Sequence, residues 1–286
     1  MPRWRSTEAP TPGALAAVGR CRRPFRFFSC LPSRPRLWVM SDTLVVNEIY
    51  LSLQGESTFA GLPCIFIRLT ACNLRCSYCD TAYAFTEGKK RAFQEVLEEV
   101  RQLAKPFSDS RLKTQDSRLP LVELTGGEPL LQKSALPLMQ QLCDDGFTVL
   151  IETSGALDIS EVDPRVRRIM DLKCPSSGEV ERNRFENIPH LKATDEIKFV
   201  IGTVEDYEWA KQQIAAHQLD TICPLLMSWV HPLRPEQQDK ALKRVPVGLT
   251  LITRQALVER IVADALPVRF QAQLHKIIWP PEQRGV

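Results

Sequence analysis

The chain has 286 residues, 44% of them hydrophobic, which is enough for one large domain with a sizeable buried core. No apolar run is long enough to cross a bilayer, so we expect a soluble protein with no membrane partner. The nine cysteines are odd in number and irregularly spaced. This argues against the disulfide framework of a secreted domain and favours a reducing, cytoplasmic compartment.

The net charge of +3 is unevenly distributed along the chain. Residues 1–40 hold eight arginines, no lysine and one acid, which is a net +7 and leaves −4 for the rest. The basic balance therefore gives no indication that residues 41–286 bind nucleic acid. The first segment is rich in Pro, Arg and Ala and has no sustained period, so we predict a disordered extension or a start assigned upstream of Met40. An organellar transit peptide is the alternative.

From Leu44 onward, short apolar runs alternate with segments of helical spacing. This alternation predicts a parallel sheet, in which polar motifs after the strands form the active site. About six such units are too few to close an eight-stranded barrel. We predict strands at 44–50, 64–69, 121–124, 147–151, 168–172, 196–201, 221–227 and 268–271, helices at 91–104, 130–145, 204–218 and 253–265, and a surface loop at 106–120.

Three cysteines follow the second predicted strand directly. Cys72, Cys76 and Cys79 have the spacing C-x3-C-x2-C. Three thiolates are one short of the four that normally hold an iron–sulfur cluster, so one iron would stay open for a small molecule. The alternative is a zinc knuckle completed by Cys64 or Cys174.

Polar motifs also close the next strands. Thr125-Gly126-Gly127-Glu128-Pro129 exposes backbone groups at two glycines and offers a carboxylate to an ammonium. The same residues would serve as an ordinary turn with Pro129 at a helix start. Glu152-Thr153-Ser154 and the segment 171–177 are equally open to two interpretations, as ligand contacts or as helix caps.

The cysteine loop, with Tyr78 as the aromatic residue before the third cysteine, resembles the signature of the radical S-adenosylmethionine (SAM) enzymes. In that family the open iron chelates SAM, and one electron from the cluster releases a 5'-deoxyadenosyl radical. The resemblance implies an α/β fold, an incomplete (β/α)6-type barrel with an N-terminal extension, and a [4Fe–4S] cluster. The SAM contacts that it implies are Tyr78, Cys79, Asp80, Gly127, Glu128, Glu152, Ser154, Lys173 and Ser176.

The opening motifs, from Glu48-Ile49-Tyr50 through Gln54-Gly55-Glu56 to Cys79-Asp80-Thr81, are similar to those of the 7-carboxy-7-deazaguanine synthase family. The similarity extends over about residues 43–280. It implies a lyase of queuosine biosynthesis that converts 6-carboxy-5,6,7,8-tetrahydropterin to 7-carboxy-7-deazaguanine with loss of ammonia. It also implies Mg2+ at Thr81, a ligand type that suits an ion which keeps several waters. A helix cap is the other interpretation of Thr81.

The residue types suit a pterin. Gln54, Glu56 and the backbone around Gly55 can pair with its amide and amino edge, and Arg68 offers a fork of donors to its carboxylate. A surface arginine is the alternative for Arg68. The resemblance adds Leu53, Thr125 and His275 as substrate contacts. Some relatives end soon after the His275 motif and use their terminal carboxylate, whereas this chain continues to Val286.

Two other functions share the cysteine spacing. One is a radical SAM activase that makes a glycyl radical on a partner protein, and the other is a non-enzymatic zinc or iron–sulfur protein. The preferred interpretation requires an electron donor such as flavodoxin or ferredoxin. A homodimer is implied by the resemblance.

Overall fold

Seven parallel strands and two antiparallel ones form a single sheet in the computed structural model, which describes residues 43–108 and 120–286. The strands are β1 (Thr43–Leu53), β2 (Pro63–Leu69), β3 (Lys89–Ala92), β4 (Leu121–Gly126), β5 (Val149–Thr153), β6 (Arg167–Asp171), β7 (Glu196–Ile201), β8 (Leu225–Trp229) and β9 (Arg269–Gln271). Their order across the sheet is β3-β1-β2-β4-β5-β6-β7-β8-β9. Strands β1 and β3 are antiparallel to their neighbours, and β2 and β4 to β9 run parallel.

The helices precede parallel strands in the chain, as the alternating pattern predicts, except for the last one, which follows β9. They are α1 (Phe93–Ser108), α2 (Ala135–Asp144), α3 (Val204–His217), α4 (Arg254–Ala263) and α5 (His275–Ile278). Helix α1 buries Phe93, Val96, Leu97 and Val100, which recur at three- and four-residue spacing. Helix α3 begins with a capping box in which the Thr203 hydroxyl accepts from the Asp206 amide.

The alternation of side chains along the strands separates the core from a polar face. In β2, Ile65, Ile67 and Leu69 pack in the main core, whereas Arg68 belongs to the opposite face. Strand β7 behaves in the same way, because Ile197, Phe199 and Ile201 are core residues and Lys198 faces the other side. One face of the sheet therefore packs against the helices, and the other is left for the site.

The predicted incomplete barrel is confirmed. Among the described strands, β3 and β9 form the two edges of the sheet and do not pair with each other, so the sheet stays open. The predicted extension at 1–40 and residues 109–119 of the predicted surface loop lie outside the described residues.

Several boundaries differ from the prediction for local reasons. The predicted strand 221–227 begins later, at Leu225, because a 3-10 turn occupies Leu219–Thr221. The predicted helix 130–145 divides into a 3-10 turn at Pro129–Leu131 and helix α2. Strand β3 was missed because its four residues, Lys-Lys-Arg-Ala, show no apolar alternation. Such charged residues are typical of an edge strand.

Neither a disulfide nor a membrane-spanning helix occurs in the described part of the chain. The seven cysteines that the structure describes are all free. Cys223 is buried, Cys143 is partly buried against the core, and Cys21 and Cys30 lie outside the described residues. No described helix is both long and apolar enough to cross a bilayer.

Arg168 and Asp195 form a buried ion pair whose contribution to stability can be measured. Its N–O distance is 3.1 Å, and the two side chains are 6% and 0% exposed. Because removal of one partner leaves a buried charge, we expect Asp195→Ala to lower the free energy of unfolding by about 3–5 kcal/mol in urea denaturation. The control is Asp158→Ala, whose half-exposed pair with Arg184 predicts a change below about 1 kcal/mol. Equal losses in the two variants would contradict the expectation.

Candidate active site

A polar cavity of about 250 Å³ lies at the carboxyl ends of the parallel strands. The cysteine loop, the end of β1 and several residues between 273 and 286 also line it. The structure brings together nearly every residue that the sequence singled out. Those that line the cavity are Leu53, Gln54, Gly55, Glu56, Arg68, Cys72, Cys76, Tyr78, Cys79, Asp80, Thr81, Thr125, Gly127, Glu152, Ser154, Lys173 and His275.

The cysteine loop is held in place by backbone contacts with the end of β4. Ala71 has a φ of +80°, a left-handed conformation that is uncommon for a residue with a Cβ. The carbonyl of Ala71 accepts a hydrogen bond of 2.8 Å from the Glu128 amide. Gly127 lies so close that a Cβ there would clash with this carbonyl and approach the Cβ of Cys72 to 2.9 Å. The glycine is therefore needed for the loop to reach its position.

The three cysteines line the same cavity, but their side chains do not form a site for a single ion. Among residues 43–108 and 120–286, no three His, Cys, Asp or Glu side chains are arranged to hold one metal. Neither Cys64 nor Cys174 lines the cavity, and their thiols contact the carbonyls of Ile65 and Leu172 instead. This arrangement disfavours the zinc knuckle and fits a larger group held at three corners.

Burial keeps these thiols protonated while no metal is bound. It raises the pKa of Cys79 to about 11, and it also raises the pKa of Cys72 and of Cys76. Iron binds the thiolate, so loading of the cluster must displace three protons.

The surroundings of the cysteines fit SAM as the second bound group. The Tyr78 hydroxyl is buried and has no hydrogen-bond partner among the described residues, so it is available to a ligand. Gly127 presents its backbone to the cavity without a side chain. Lys173 contributes a cation beside Asp171, with which it forms a buried ion pair.

Two predicted SAM contacts lie outside the cavity lining. The Glu128 carboxylate is fully buried and accepts hydrogen bonds from the hydroxyls of Thr153 and Ser154 and from the amides of Ser154 and Leu130. Ser176 is buried and donates to Asp206 through its amide and its hydroxyl. Their contacts with SAM stay predictions. The structure shows that Glu128 holds the turn after β5 in place through its hydrogen bonds with Thr153 and Ser154.

A network of buried charges occupies the side of the cavity near Gln54. Lys198 forms ion pairs with Glu56 at 3.1 Å and with Glu152, and a third contact with Asp171 at 3.5 Å. Burial by itself would raise the pKa of the Glu56 carboxyl, but Lys198, His275 and the hydrogen bond from Gln273 together lower that pKa to about 2. Glu56 is therefore a carboxylate at neutral pH.

Glu123 is the unpaired acid of this network. It is 3% exposed, and burial together with the nearby Glu152 charge raises the pKa of its carboxyl well above the usual range. The Gln54 side chain donates a hydrogen bond to it. Thr125, two residues further along β4, donates to Glu152 at 3.0 Å.

Arg68 is buried on the same face of the sheet, so it is not the surface arginine that the sequence allowed as an alternative. Its guanidinium donates to Glu48 at 2.7 Å and to the Tyr50 hydroxyl at 2.8 Å. The side chain is 12% exposed, and it lines the cavity.

The segment that follows β9 returns to the cavity. The Leu274 amide donates to the Gly55 carbonyl at 3.0 Å, which brings His275 against the Gln54-Gly55-Glu56 turn. Burial lowers the pKa of His275, so its imidazole is neutral at pH 7. Lys276 forms an ion pair with Asp80, next to Cys79.

Sequence reasoning missed Glu123, Lys198 and Lys276 as residues of the site. Glu123 and Lys198 each interrupt an apolar strand at a position whose neighbours are core residues. A charged residue at such a position is a signal that could have found both. Lys276 has no comparable signal, because its partner Asp80 lies 196 residues away in the chain.

Comparison with known proteins agrees with this site. The sequence model of the Radical SAM superfamily matches residues 66–176. The crystal structure of QueE from Escherichia coli superimposes with a TM-score of 0.56 at 21% identity, over 80% of this chain and 94% of that one. With the cavity and its three cysteines, these matches define a radical SAM enzyme, which uses SAM and a [4Fe–4S] cluster.

Curated relatives place the chain within that superfamily. A 7-carboxy-7-deazaguanine synthase from Koribacter versatilis is 43% identical over 84% of this chain and 99% of its own length. One from Chlorobaculum tepidum is 40% identical over 85% of this chain and 97% of its own length. The chain belongs to the 7-carboxy-7-deazaguanine synthase family and is a radical SAM lyase.

Cysteine variants test the proposed ligand set. We expect anaerobically reconstituted protein to hold about four irons and four sulfides per chain, and any of Cys72→Ser, Cys76→Ser and Cys79→Ser to lose them. Cys174→Ala should keep its cluster, because its thiol does not face the cavity. Iron and sulfide analysis with the visible absorption spectrum measures this. Cluster loss in a folded Cys174→Ala variant would contradict the assignment.

Gly127→Ala tests the contact between β4 and the cysteine loop. Because the added Cβ would clash with the Ala71 carbonyl, we expect iron content to fall severalfold while the far-ultraviolet circular dichroism is kept. Gly248→Ala is the control. The φ of Gly248 is positive, +88°, unlike that of Gly127, but a Cβ there meets no atom within 4 Å, so the cluster should load normally. Normal loading of Gly127→Ala would show that the close approach is not required.

Proposed function

We propose that this enzyme converts 6-carboxy-5,6,7,8-tetrahydropterin to 7-carboxy-7-deazaguanine with release of ammonia, as a step of queuosine biosynthesis. The observation that supports this most directly is the distribution of charge in the cavity. A buried cationic fork at Arg68 and a buried group of acids around Lys198 line one small cavity together with the three cysteines.

The acidic group suits the amino and amide edge of a pterin. Glu56, Glu123 and Glu152 share Lys198 as their nearby cation, so carboxyl groups outnumber positive charges there. Such groups accept hydrogen bonds from N–H donors, which the pterin edge presents side by side. Gln54, held by Glu123, adds an amide to the same region.

The cationic end suits a carboxylate. Glu48 and Tyr50 engage two of the five N–H groups of Arg68, so three donors remain for a ligand. A buried guanidinium recognises a planar carboxylate better than an ammonium would, because its N–H groups form a fixed fork.

Cys72, Cys76 and Cys79 would hold the cluster, and Tyr78, Gly127 and Ser154 would contact SAM. When bound, these cofactors supply a 5'-deoxyadenosyl radical that removes the hydrogen at C6 of the pterin. The chain contributes binding, orientation and exclusion of water. Its ion pairs line the cavity with charged groups.

We further propose Mg2+ at Thr81. The Thr81 hydroxyl lies 3.7 Å from the Cys79 sulfur and lines the cavity. A single hydroxyl is a weak ligand, so the ion would take its remaining ligands from the substrate carboxylate and water. In this position the ion would neutralise part of the substrate charge.

We propose two partners on chemical grounds. The cluster needs one electron from outside the chain, which a flavodoxin or ferredoxin would supply in the cytoplasm. A homodimer is proposed from the resemblance to the family.

A glycyl-radical activase, the alternative radical SAM function, agrees neither with the family of this chain nor with its cavity. Such an enzyme must admit a loop of a partner protein. The acids around Lys198 and the buried Arg68 that line this cavity suit a small polar molecule with a carboxylate instead.

The proposal predicts anaerobic turnover of carboxytetrahydropterin with SAM and a reductant, and stimulation by Mg2+. We expect wild-type protein to form 7-carboxy-7-deazaguanine and ammonia in equal amounts, measured by mass spectrometry and an ammonia assay. Thr81→Val, which removes the hydroxyl at similar volume, should lose most of the Mg2+ stimulation.

Thr86→Val is the control, because Thr86 is exposed and lies outside the cavity lining. Absence of the deazaguanine product with fully loaded protein would reject the proposed reaction. Equal stimulation of wild type and Thr81→Val would reject only the magnesium site.

A further inference from the structure

We propose that Glu48 and Tyr50 are positioning residues that orient the Arg68 guanidinium toward the carboxylate of the substrate. This inference rests on the proposed function, in which Arg68 binds that carboxylate. Glu48 and Tyr50 belong to the motif that opens the globular sequence, and neither has a role in the reaction as described so far. Both side chains contact Arg68 directly.

A β-bulge places Glu48 opposite Arg68. From Leu53 back to Glu48 the pairing of β1 with β2 is regular, but it shifts by one residue between Glu48 and Val46, which leaves Asn47 as the extra residue. Glu48 is directly opposite Arg68 in this register, and Tyr50, two residues further, shares its face of the sheet. Bulges commonly redirect side chains next to active sites.

The hydrogen bonds restrain the guanidinium from two sides. Its Nε donates to Oε1 of Glu48 at 2.7 Å, and its Nη2 donates to the Tyr50 hydroxyl at 2.8 Å. Both N–H groups of Nη1 and one of Nη2 have no hydrogen-bond partner among the described residues, and one N–H from each nitrogen forms the edge that binds a carboxylate in a bidentate manner. The Tyr50 ring is itself fixed by stacking on Phe66, with 5.1 Å between the ring centroids.

The protonation states are consistent with these roles. Burial raises the pKa of Tyr50 to about 12, so its hydroxyl stays a neutral acceptor for Arg68 at physiological pH. The tyrosine therefore orients the guanidinium without adding a second negative charge.

Glu48 connects this arrangement to the cysteine loop. The Tyr83 hydroxyl donates to Oε1 of Glu48 at 3.1 Å, and Tyr83 lies in the short helix at Ala82–Phe85 that follows Thr81. Hydrogen bonds through Glu48 and Tyr83 thus connect Arg68 to the segment that directly follows the cysteine loop. A substrate held by Arg68 would then have a defined position relative to the cofactors.

Orientation and net charge make opposite predictions for Glu48. Its carboxylate already neutralises Arg68, so its removal would strengthen the simple attraction for a substrate anion. If orientation dominates, removal of the Glu48 carboxylate instead leaves the Arg68 guanidinium less well oriented and weakens binding of the substrate carboxylate. We infer that orientation dominates, because the guanidinium is buried and a bidentate contact tolerates little misalignment.

The test compares Glu48→Gln and Tyr50→Phe with wild type in the anaerobic turnover assay. We expect KM for carboxytetrahydropterin to rise about tenfold in Glu48→Gln and about threefold in Tyr50→Phe, with kcat changing less than KM. A tetrahydropterin analogue without the carboxylate should bind wild type and both variants equally in calorimetric titration. Cleavage of SAM in the absence of pterin should also be unchanged.

Two further variants complete the design. Glu99→Gln is the matched control, since Glu99 pairs with Arg91 at 2.5 Å outside the cavity lining, and it should leave KM unchanged. Arg68→Lys combined with Glu48→Gln should cost no more than Arg68→Lys alone, because Glu48 acts through the guanidinium. Tyr50→Phe decides the matter if Glu48→Gln does not fold.

Each outcome has a distinct meaning. An unchanged or lowered KM in Glu48→Gln, with normal wild-type turnover, overturns the positioning role and leaves the proposed function intact. Equal loss of binding for the analogue without the carboxylate would also overturn it, since general damage to the site would explain the effect. A wild-type protein that forms no deazaguanine refutes the proposed function, and the positioning role with it.

Discussion

The close approach between the cysteine loop and the end of β4 is the contact on which the site depends. The Ala71 carbonyl accepts from the Glu128 amide, and Gly127 leaves no room for a side chain there. Ala71 adopts a left-handed conformation for this contact, a strain of the order of 1 kcal/mol or more that the surrounding structure must offset. The loop that carries Cys72, Cys76 and Cys79 is thereby attached to the end of the strand that leads into the Gly126-Gly127-Glu128 turn.

Ion pairs between buried side chains of opposite charge also shape the cavity. Arg68, Lys173, Lys198 and Lys276 each pair with at least one carboxylate. Desolvation makes such pairs weak evidence for stability, because hydrophobic residues of similar volume are often at least as stabilising. Their position at the carboxyl ends of the strands fits the proposed recognition of a polar substrate, since they provide oriented donors and acceptors in the cavity.

The fold and much of the site could be predicted from local patterns. The apolar runs located most strands to within two or three residues, and the helical spacing of Phe93, Val96 and Val100 located α1. Boundaries failed where a turn competed with the end of an element, as at Leu219–Thr221. The edge strand β3 was missed because pairing with β1, rather than its own side chains, makes it a strand.

By itself, the sequence determined the cysteine spacing, the alternating elements and the glycine-rich turn, because each depends on residues close together in the chain. Only the tertiary structure decided which charges meet. Lys276 reaches Asp80 across 196 residues, and a one-residue bulge in β1 places Glu48 opposite Arg68. The physical reason is that strand register and loop return are set by packing of the whole sheet, and a shift of one residue turns each side chain to the other face.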